Sequence, residues 1–160
     1  NKYNYHFATT RETEDLVKGY LKKIKNINFY VHSDDKLKNE YIKKSLITVS
    51  KSGTITLDLC KNQVPFITIY KLSWLNYLII KPFVKVKYVN IINIIANKEI
   101  IPEFIQGDCN SIKILNKLEY FFNNKTTLEK LVNDYNIILN KLSNKESSKQ
   151  IAQDLIENLN

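Results

Sequence analysis

The chain has few of the residues that mark specialised folds. Its 160 residues include no methionine, three glycines, three prolines, two cysteines and a single arginine among 24 basic residues. Cys60 and Cys109 form neither a disulfide framework nor a metal-binding pattern, so we expect two buried thiols in a reducing compartment. The absence of methionine predicts that the chain is a piece of a longer protein.

Long apolar runs are missing as well. The longest, residues 72–80, is interrupted by Ser73 and Asn76 and closed on both sides by lysine. It is far shorter than the ~20 residues that span a bilayer. Residues 1–4 carry no apolar run typical of a signal peptide. The sequence therefore favours a cytoplasmic location.

The net charge of +8 comes almost entirely from lysine. Nucleic-acid-binding surfaces commonly use arginine for bidentate contacts. We therefore interpret the lysines as a solvated surface, and we expect no nucleic acid partner. His6 and His32 lie far apart in the sequence, without acidic or cysteine neighbours. We expect each to be an isolated surface or strand-end residue, and we expect neither a metal nor another cofactor.

Apolar strands and amphipathic helices alternate along the first half of the chain, which predicts a parallel sheet of at least four strands covered by helices. A 44% apolar content and this length suit one globular domain. Strands are predicted at residues 3–7, 27–32, 45–50 and 64–71, and helices at 10–26, 34–44, 55–62, 111–122, 126–142 and 146–158.

The triplet Ser52-Gly53-Thr54 falls between a predicted strand and a predicted helix. Ligands of parallel sheets bind beyond the carboxyl ends of the strands. Gly53, in a conformation expected to need positive φ, would let a ligand approach the backbone. The helix amides and the two hydroxyls suit a phosphate, and Asp58, one turn on, could accept from sugar hydroxyls. The alternative is a plain capped turn with a solvated Asp58.

Several further motifs follow this triplet in order. They are Leu57-Asp58, Pro65 through Tyr70-Lys71, Lys81 to Lys87, Tyr88-Val89, Ile92-Asn93 and Pro102-Glu103-Phe104-Ile105-Gln106. Their order and spacing resemble the C-terminal half of the lipid-A-disaccharide synthases, glycosyltransferases of the GT-B fold. The chain departs from that pattern in having Asp58 in place of Glu and Ile92 in place of Pro.

The resemblance implies a fold and a reaction. The fold is a Rossmann-like parallel sheet with helices on both faces and a helical C-terminus, so that residues 1–160 form a single partial domain. This would be the UDP-sugar half, lacking the N-terminal acceptor half and its own first strand with a Gly-Ser-Arg loop. The implied reaction moves diacylglucosamine from UDP-2,3-diacylglucosamine to 2,3-diacylglucosamine 1-phosphate, in lipid A biosynthesis. It would take place on the inner face of the inner membrane.

The resemblance also assigns roles to residues. The UDP diphosphate is expected at Ser52, Gly53 and Thr54, and the ribose at Asp58. Asn93, Glu103 and Gln106 are expected to line the cleft, with helix capping and loop hydrogen bonds as the alternative. No residue of this chain is identified as catalytic.

A basic, aromatic stretch follows the fourth predicted strand. Its marker residues are Trp74, Lys81, Phe83, Lys85 and Lys87. An apolar face with a basic rim suits an anionic membrane surface, and it equally suits the missing N-terminal half or a second copy in a homodimer. Two other functions stay open: an inactive remnant of the enzyme, and a basic lipid- or nucleic-acid-binding module.

Overall fold

The computed structural model describes residues 3–74, 76–77 and 87–143, in two compact units that divide between Leu46 and Ile47. Each unit is built of parallel strands and helices, which confirms the predicted α/β class. Within the described ranges, no helix has both the length and the apolar character needed to cross a bilayer.

The first unit holds a two-stranded parallel sheet. Strand β1 (Asn4–Ala8) pairs with β2 (Asn28–His32), and helix α1 (Glu14–Leu21) makes the crossover that parallel neighbours require. Helix α2 (Asp35–Lys43) follows β2. Helix α1 is shorter than the predicted 10–26: a 3-10 turn at Arg11–Thr13 precedes it, and the helix ends at Leu21, before Asn26 turns the chain at a φ of 64°.

The second unit holds a three-stranded sheet in the order β3-β4-β5, in which both neighbouring pairs are parallel. Its elements are β3 (Thr48–Lys51), α3 (Ile55–Lys61), β4 (Phe66–Tyr70), α4 (Ile91–Ala96), β5 (Glu103–Ile105), α5 (Ser111–Asn123) and α6 (Lys125–Ser143). The two last helices confirm the predicted helices 111–122 and 126–142. The predicted helix at 146–158 lies outside the described residues.

The central strand β4 organises the core of the second unit. Phe66, Ile67 and Thr68 point alternately to opposite faces, and all three are fully buried. A strand buried on both faces is typical of a parallel sheet with helices on both sides. Helix α6 packs at the start of this strand: the Tyr135 ring lies 6.1 Å from the Phe66 ring, and the Tyr135 hydroxyl donates to the Val64 carbonyl at 3.1 Å.

The two cysteines differ in environment. Cys60 is fully buried, and this burial raises the pKa of its thiol to about 12, so it stays protonated and acts as a packing group. Cys109 is only half-buried, so the expectation of a buried thiol is wrong there. It follows the short turn at Gln106–Asp108, where the chain runs near the surface.

The strands form two sheets, whereas the sequence predicted one sheet of at least four strands. The four predicted strands are present, but their hydrogen bonds form two sheets, β1-β2 and β3-β4-β5. The fifth strand, β5, was not predicted, because only three residues of it pair with β4. A strand this short has no alternation that a sequence pattern could reveal.

Candidate functional site

The loop between β3 and α3 contains the predicted phosphate ligands. The Ser52 amide donates to the Ile69 carbonyl at 3.2 Å, so the loop leaves the sheet at the carboxyl ends of β3 and β4. The Thr56 hydroxyl donates to the Gly53 carbonyl at 2.6 Å, and the Thr56 amide donates to the same oxygen at 3.1 Å. Since Thr56 is buried, these bonds fix the shape of the loop.

Gly53 is exposed, but its backbone is not in the left-handed region, so the expected positive φ is wrong. The turn needs only right-handed angles: Thr54 lies at φ −59° and ψ −30°. A Cβ built on Gly53 would meet no atom within 4 Å. Glycine therefore leaves open space above the loop, and the turn makes no special conformational demand on it.

The two hydroxyls of the triplet differ in what they contact. The Ser52 hydroxyl donates to the Val89 carbonyl at 2.7 Å, so its proton is already engaged. Thr54 is exposed and its side chain makes no capping hydrogen bond. Among the described residues, the amides of Gly53 and Thr54 also have no acceptor. Thr54 and these amides are the donors that remain for a ligand, while Ser52 supports the loop.

Asp58 lies on α3, one turn beyond Thr54, and is exposed. Its backbone carbonyl accepts from the Asn62 side chain at 2.8 Å. Its carboxylate has no partner in the part of the chain that the structure describes. It is therefore available to accept hydrogen bonds from a ligand. Helix α3 has only seven residues, so its dipole is small and the individual donors matter more.

Glu103, at the start of β5, is held by three N–H donors. Its Oε2 accepts from the Val89 amide, and its Oε1 accepts from the Asn90 amide and the Asn93 side chain, each at 2.8 Å. No lysine or arginine forms an ion pair with it within the described ranges. Its carboxylate thus organises residues 89–93.

Asn93 is fully buried, and its side chain uses all of its hydrogen-bonding capacity inside the protein. Its Nδ2 donates to the Ile101 carbonyl and to Glu103, and its Oδ1 accepts from the Ile100 and Ile101 amides at 2.9 Å each. The expectation that this side chain lines a ligand cleft does not fit this burial. Asn93 joins α4 to β5 from within.

Gln106 lies at the carboxyl end of β5 with a left-handed φ of 50°. Its Oε1 accepts from the Leu72 amide at 2.6 Å, and its Nε2 donates to the Leu72 carbonyl at 3.4 Å. It therefore ties the segment after β4 to the end of β5. The loops that follow β3, β4 and β5 thus meet at one edge of the sheet.

Sequence reasoning missed Asn90, which is fully buried at the start of α4. Its Oδ1 accepts from the Ile92 amide at 2.9 Å, and its Nδ2 donates to the Thr68 hydroxyl at 2.9 Å. An asparagine directly before the apolar run 91–96 is an N-cap signal that could have identified it. Lys51, which ends β3 at the same sheet edge, was also missed, whereas Lys71, which follows β4 there, belongs to the Tyr70-Lys71 motif.

The predicted interface stretch is described only in part. Trp74 is 71% exposed, as a contact residue requires. The Lys87 ammonium lies 5.3 Å from the centre of the Tyr88 ring. Lys81, Phe83 and Lys85 lie outside the described residues.

The two histidines, expected to be isolated, are in contact in the first unit. His6 Nδ1 lies 2.9 Å from His32 Nε2, so one ring donates to the other. Both rings stack against Tyr41 of α2, and His6 also stacks against Tyr30. The expectation of two separate histidines is wrong because β1 and β2 are parallel neighbours.

This pair predicts a pH dependence. Burial, and then the neighbouring His32, lower the pKa of His6 from its usual 6.5. The unfolded chain binds that proton more readily, so stability is complete above pH 6.5 and falls as the pH drops through the folded pKa. An NMR titration should place His6 below 6.5, and His32→Gln should move it part of the way back. Titration of wild-type His6 at or above 6.5 would contradict this expectation.

Comparison with known proteins gives a consistent family. The family model described as lipid-A-disaccharide synthetase matches residues 5–155. The chain is 36% identical over 152 residues to the lipid-A-disaccharide synthase of Rickettsia canadensis, covering 90% of this chain and 38% of that protein. It is 40% identical over 126 residues to the enzyme of that name from Rickettsia conorii, covering 78% of this chain and 27% of that protein. With the Rickettsia felis protein, the identity is 38% over 147 residues, covering 90% of this chain and 36% of that protein.

Proposed function

Since the chain belongs to the lipid-A-disaccharide synthase family, we propose that it supplies the UDP-sugar site of a glycosyltransferase of lipid A biosynthesis. The proposed reaction moves diacylglucosamine from UDP-2,3-diacylglucosamine to 2,3-diacylglucosamine 1-phosphate, giving the disaccharide and UDP. The observation that carries this proposal is the open space above Gly53, with unused N–H groups at the carboxyl edge of a parallel sheet.

In this proposal the UDP diphosphate lies over the loop Ser52–Thr54. The Gly53 and Thr54 amides and the Thr54 hydroxyl donate to its oxygens, and Ser52 holds the loop through Val89. The Asp58 carboxylate accepts from the ribose hydroxyls. Fixed N–H donors of this kind stabilise the negative charge that grows on UDP as it leaves. Lys51 and Lys71 add positive charge at the same edge.

In this proposal the acceptor sugar binds to a part of the protein outside this chain, and that part also supplies the groups that activate the acceptor. The chain spans 38%, 27% and 36% of the lengths of the three relatives described above. Holding donor and acceptor together contributes up to ~7–11 kcal/mol in well-oriented systems. We therefore expect the 160-residue chain alone to form no disaccharide.

The exposed Trp74 and the nearby lysines support a location on the anionic inner face of the inner membrane. An exposed indole and a basic surface both favour contact with anionic lipid headgroups. A homodimer contact or a contact with the rest of a longer protein remains the competing role for Trp74.

Calorimetric titration of the purified chain with UDP, UMP and ADP tests the donor site. UDP should bind about tenfold more tightly than UMP, because its second phosphate adds charge-assisted hydrogen bonds to the loop. ADP should bind more weakly than UDP if the site recognises uridine. No binding of UDP, or equal binding of UDP and UMP, would overturn the proposal. Binding only to anionic vesicles or to nucleic acid would instead favour a non-catalytic binding module.

A further inference from the structure

We propose that Glu103 is a positioning residue: it holds the Ser52–Thr54 loop in the position that UDP binding requires, without contacting UDP itself. The proposal rests on the proposed function of that loop and adds a residue that controls it from the far side of the sheet. Glu103 lies on β5, whereas the loop follows β3, and β4 separates the two strands.

A single residue, Val89, connects Glu103 to the loop. Its amide donates to Glu103 Oε2 at 2.8 Å, and its carbonyl accepts from the Ser52 hydroxyl at 2.7 Å. The backbone of Val89 is thus held on one side by Glu103 of β5 and on the other side by Ser52 of the Ser52–Thr54 loop. That carbonyl shares its peptide unit with the Asn90 amide, which donates to Glu103 Oε1 at 2.8 Å, so Glu103 holds the backbone that Ser52 contacts through two N–H groups.

The donor set of Glu103 requires a carboxylate. All three of its partners are N–H groups, from Val89, Asn90 and Asn93, so both oxygens must accept. A glutamine has one acceptor oxygen and one donor nitrogen. With its oxygen serving Asn90 and Asn93, its NH₂ would face the Val89 amide, donor against donor. Glu103→Gln therefore keeps the size of the side chain and loses the bond to the Val89 amide, one of the two bonds that hold the backbone contacted by Ser52.

Both Glu103 oxygens are engaged by protein donors, which separates this residue from one that binds ligand directly. Asp58, by contrast, carries a carboxylate with no partner among the described residues. The two acidic groups are expected to act differently: Asp58 contacts the ribose, and Glu103 fixes the backbone that carries the diphosphate donors.

Two measurements on Glu103→Gln test the proposal. The Kd for UDP should rise about tenfold, the effect of one hydrogen bond to a charged group, while weak binding of uridine followed by NMR should not change. The Val89 amide should exchange with solvent faster. A general loss of structure would instead weaken the binding of both UDP and uridine, and it would lower the midpoint temperature of thermal unfolding. Glu103→Asp, which keeps two acceptor oxygens, should restore part of the UDP affinity.

A double-mutant cycle with Ser52→Ala supplies the decisive comparison. If both residues act through Val89, the two effects on UDP affinity should be clearly less than additive. Glu99→Gln is the matched control, since Glu99 is exposed and lies close to Glu103 in the sequence. The UDP affinity of this variant should equal that of wild type.

The outcomes separate the two proposals. Wild type that does not bind UDP would overturn the assignment of the loop, and the role of Glu103 with it. Wild type that binds UDP, together with a Glu103→Gln variant of equal affinity or with fully additive effects, would overturn the role of Glu103 alone.

Discussion

Gly53→Val is expected to weaken UDP binding at least about 100-fold, which corresponds to the loss of one or two charge-assisted hydrogen bonds. A phosphate oxygen must come within hydrogen-bonding distance of the loop amides, and a branched side chain would occupy that space. The fold itself should tolerate valine, since no atom lies within 4 Å of a Cβ at Gly53 and its φ is not positive. Calorimetry with UDP and a thermal unfolding curve measure the two effects separately.

The matched control is Gly19→Val. Gly19 is an exposed glycine of α1 whose Cβ would likewise meet nothing within 4 Å. Its replacement should leave UDP affinity unchanged. If Gly53→Val binds UDP as wild type does, the diphosphate lies elsewhere. If Gly53→Val fails to fold, the glycine serves the turn and not the ligand.

The α/β class could be predicted because local patterns determine it. The apolar run Phe66–Tyr70 marks a strand buried on both faces, and the adjacent asparagines Asn123 and Asn124 mark the break between α5 and α6. Both signals depend on residues that are near each other in the sequence. The position of the loop Ser52–Thr54 at a strand's carboxyl end followed from the same reasoning.

The internal roles of the motif residues could not be predicted in this way. Ser52 bonds to Val89, which is 37 positions away, and Gln106 bonds to Leu72, which is 34 positions away. Such partners become neighbours only once the sheet order is known. A polar residue in a family motif therefore suggested a ligand contact, whereas Asn93 and Gln106 bond to backbone groups of this chain.

Asn93→Ala is expected to destabilise the chain by about 3–5 kcal/mol. The substitution removes four internal hydrogen bonds and leaves the Ile100 and Ile101 amides without acceptors at a fully buried site. Each buried polar group left unpaired costs about 1–3 kcal/mol, and the cavity adds to this cost.

Urea unfolding followed by far-ultraviolet circular dichroism measures this loss, with Asn62→Ala as the matched control. Asn62 is exposed, and its side chain makes one hydrogen bond, to the Asp58 carbonyl. Its replacement should cost less than about 1 kcal/mol, as is usual for surface positions. Equal losses in the two variants would contradict the internal role of Asn93. A large loss for Asn93→Ala alone would confirm that the Asn93 side chain stabilises the contact between α4 and β5.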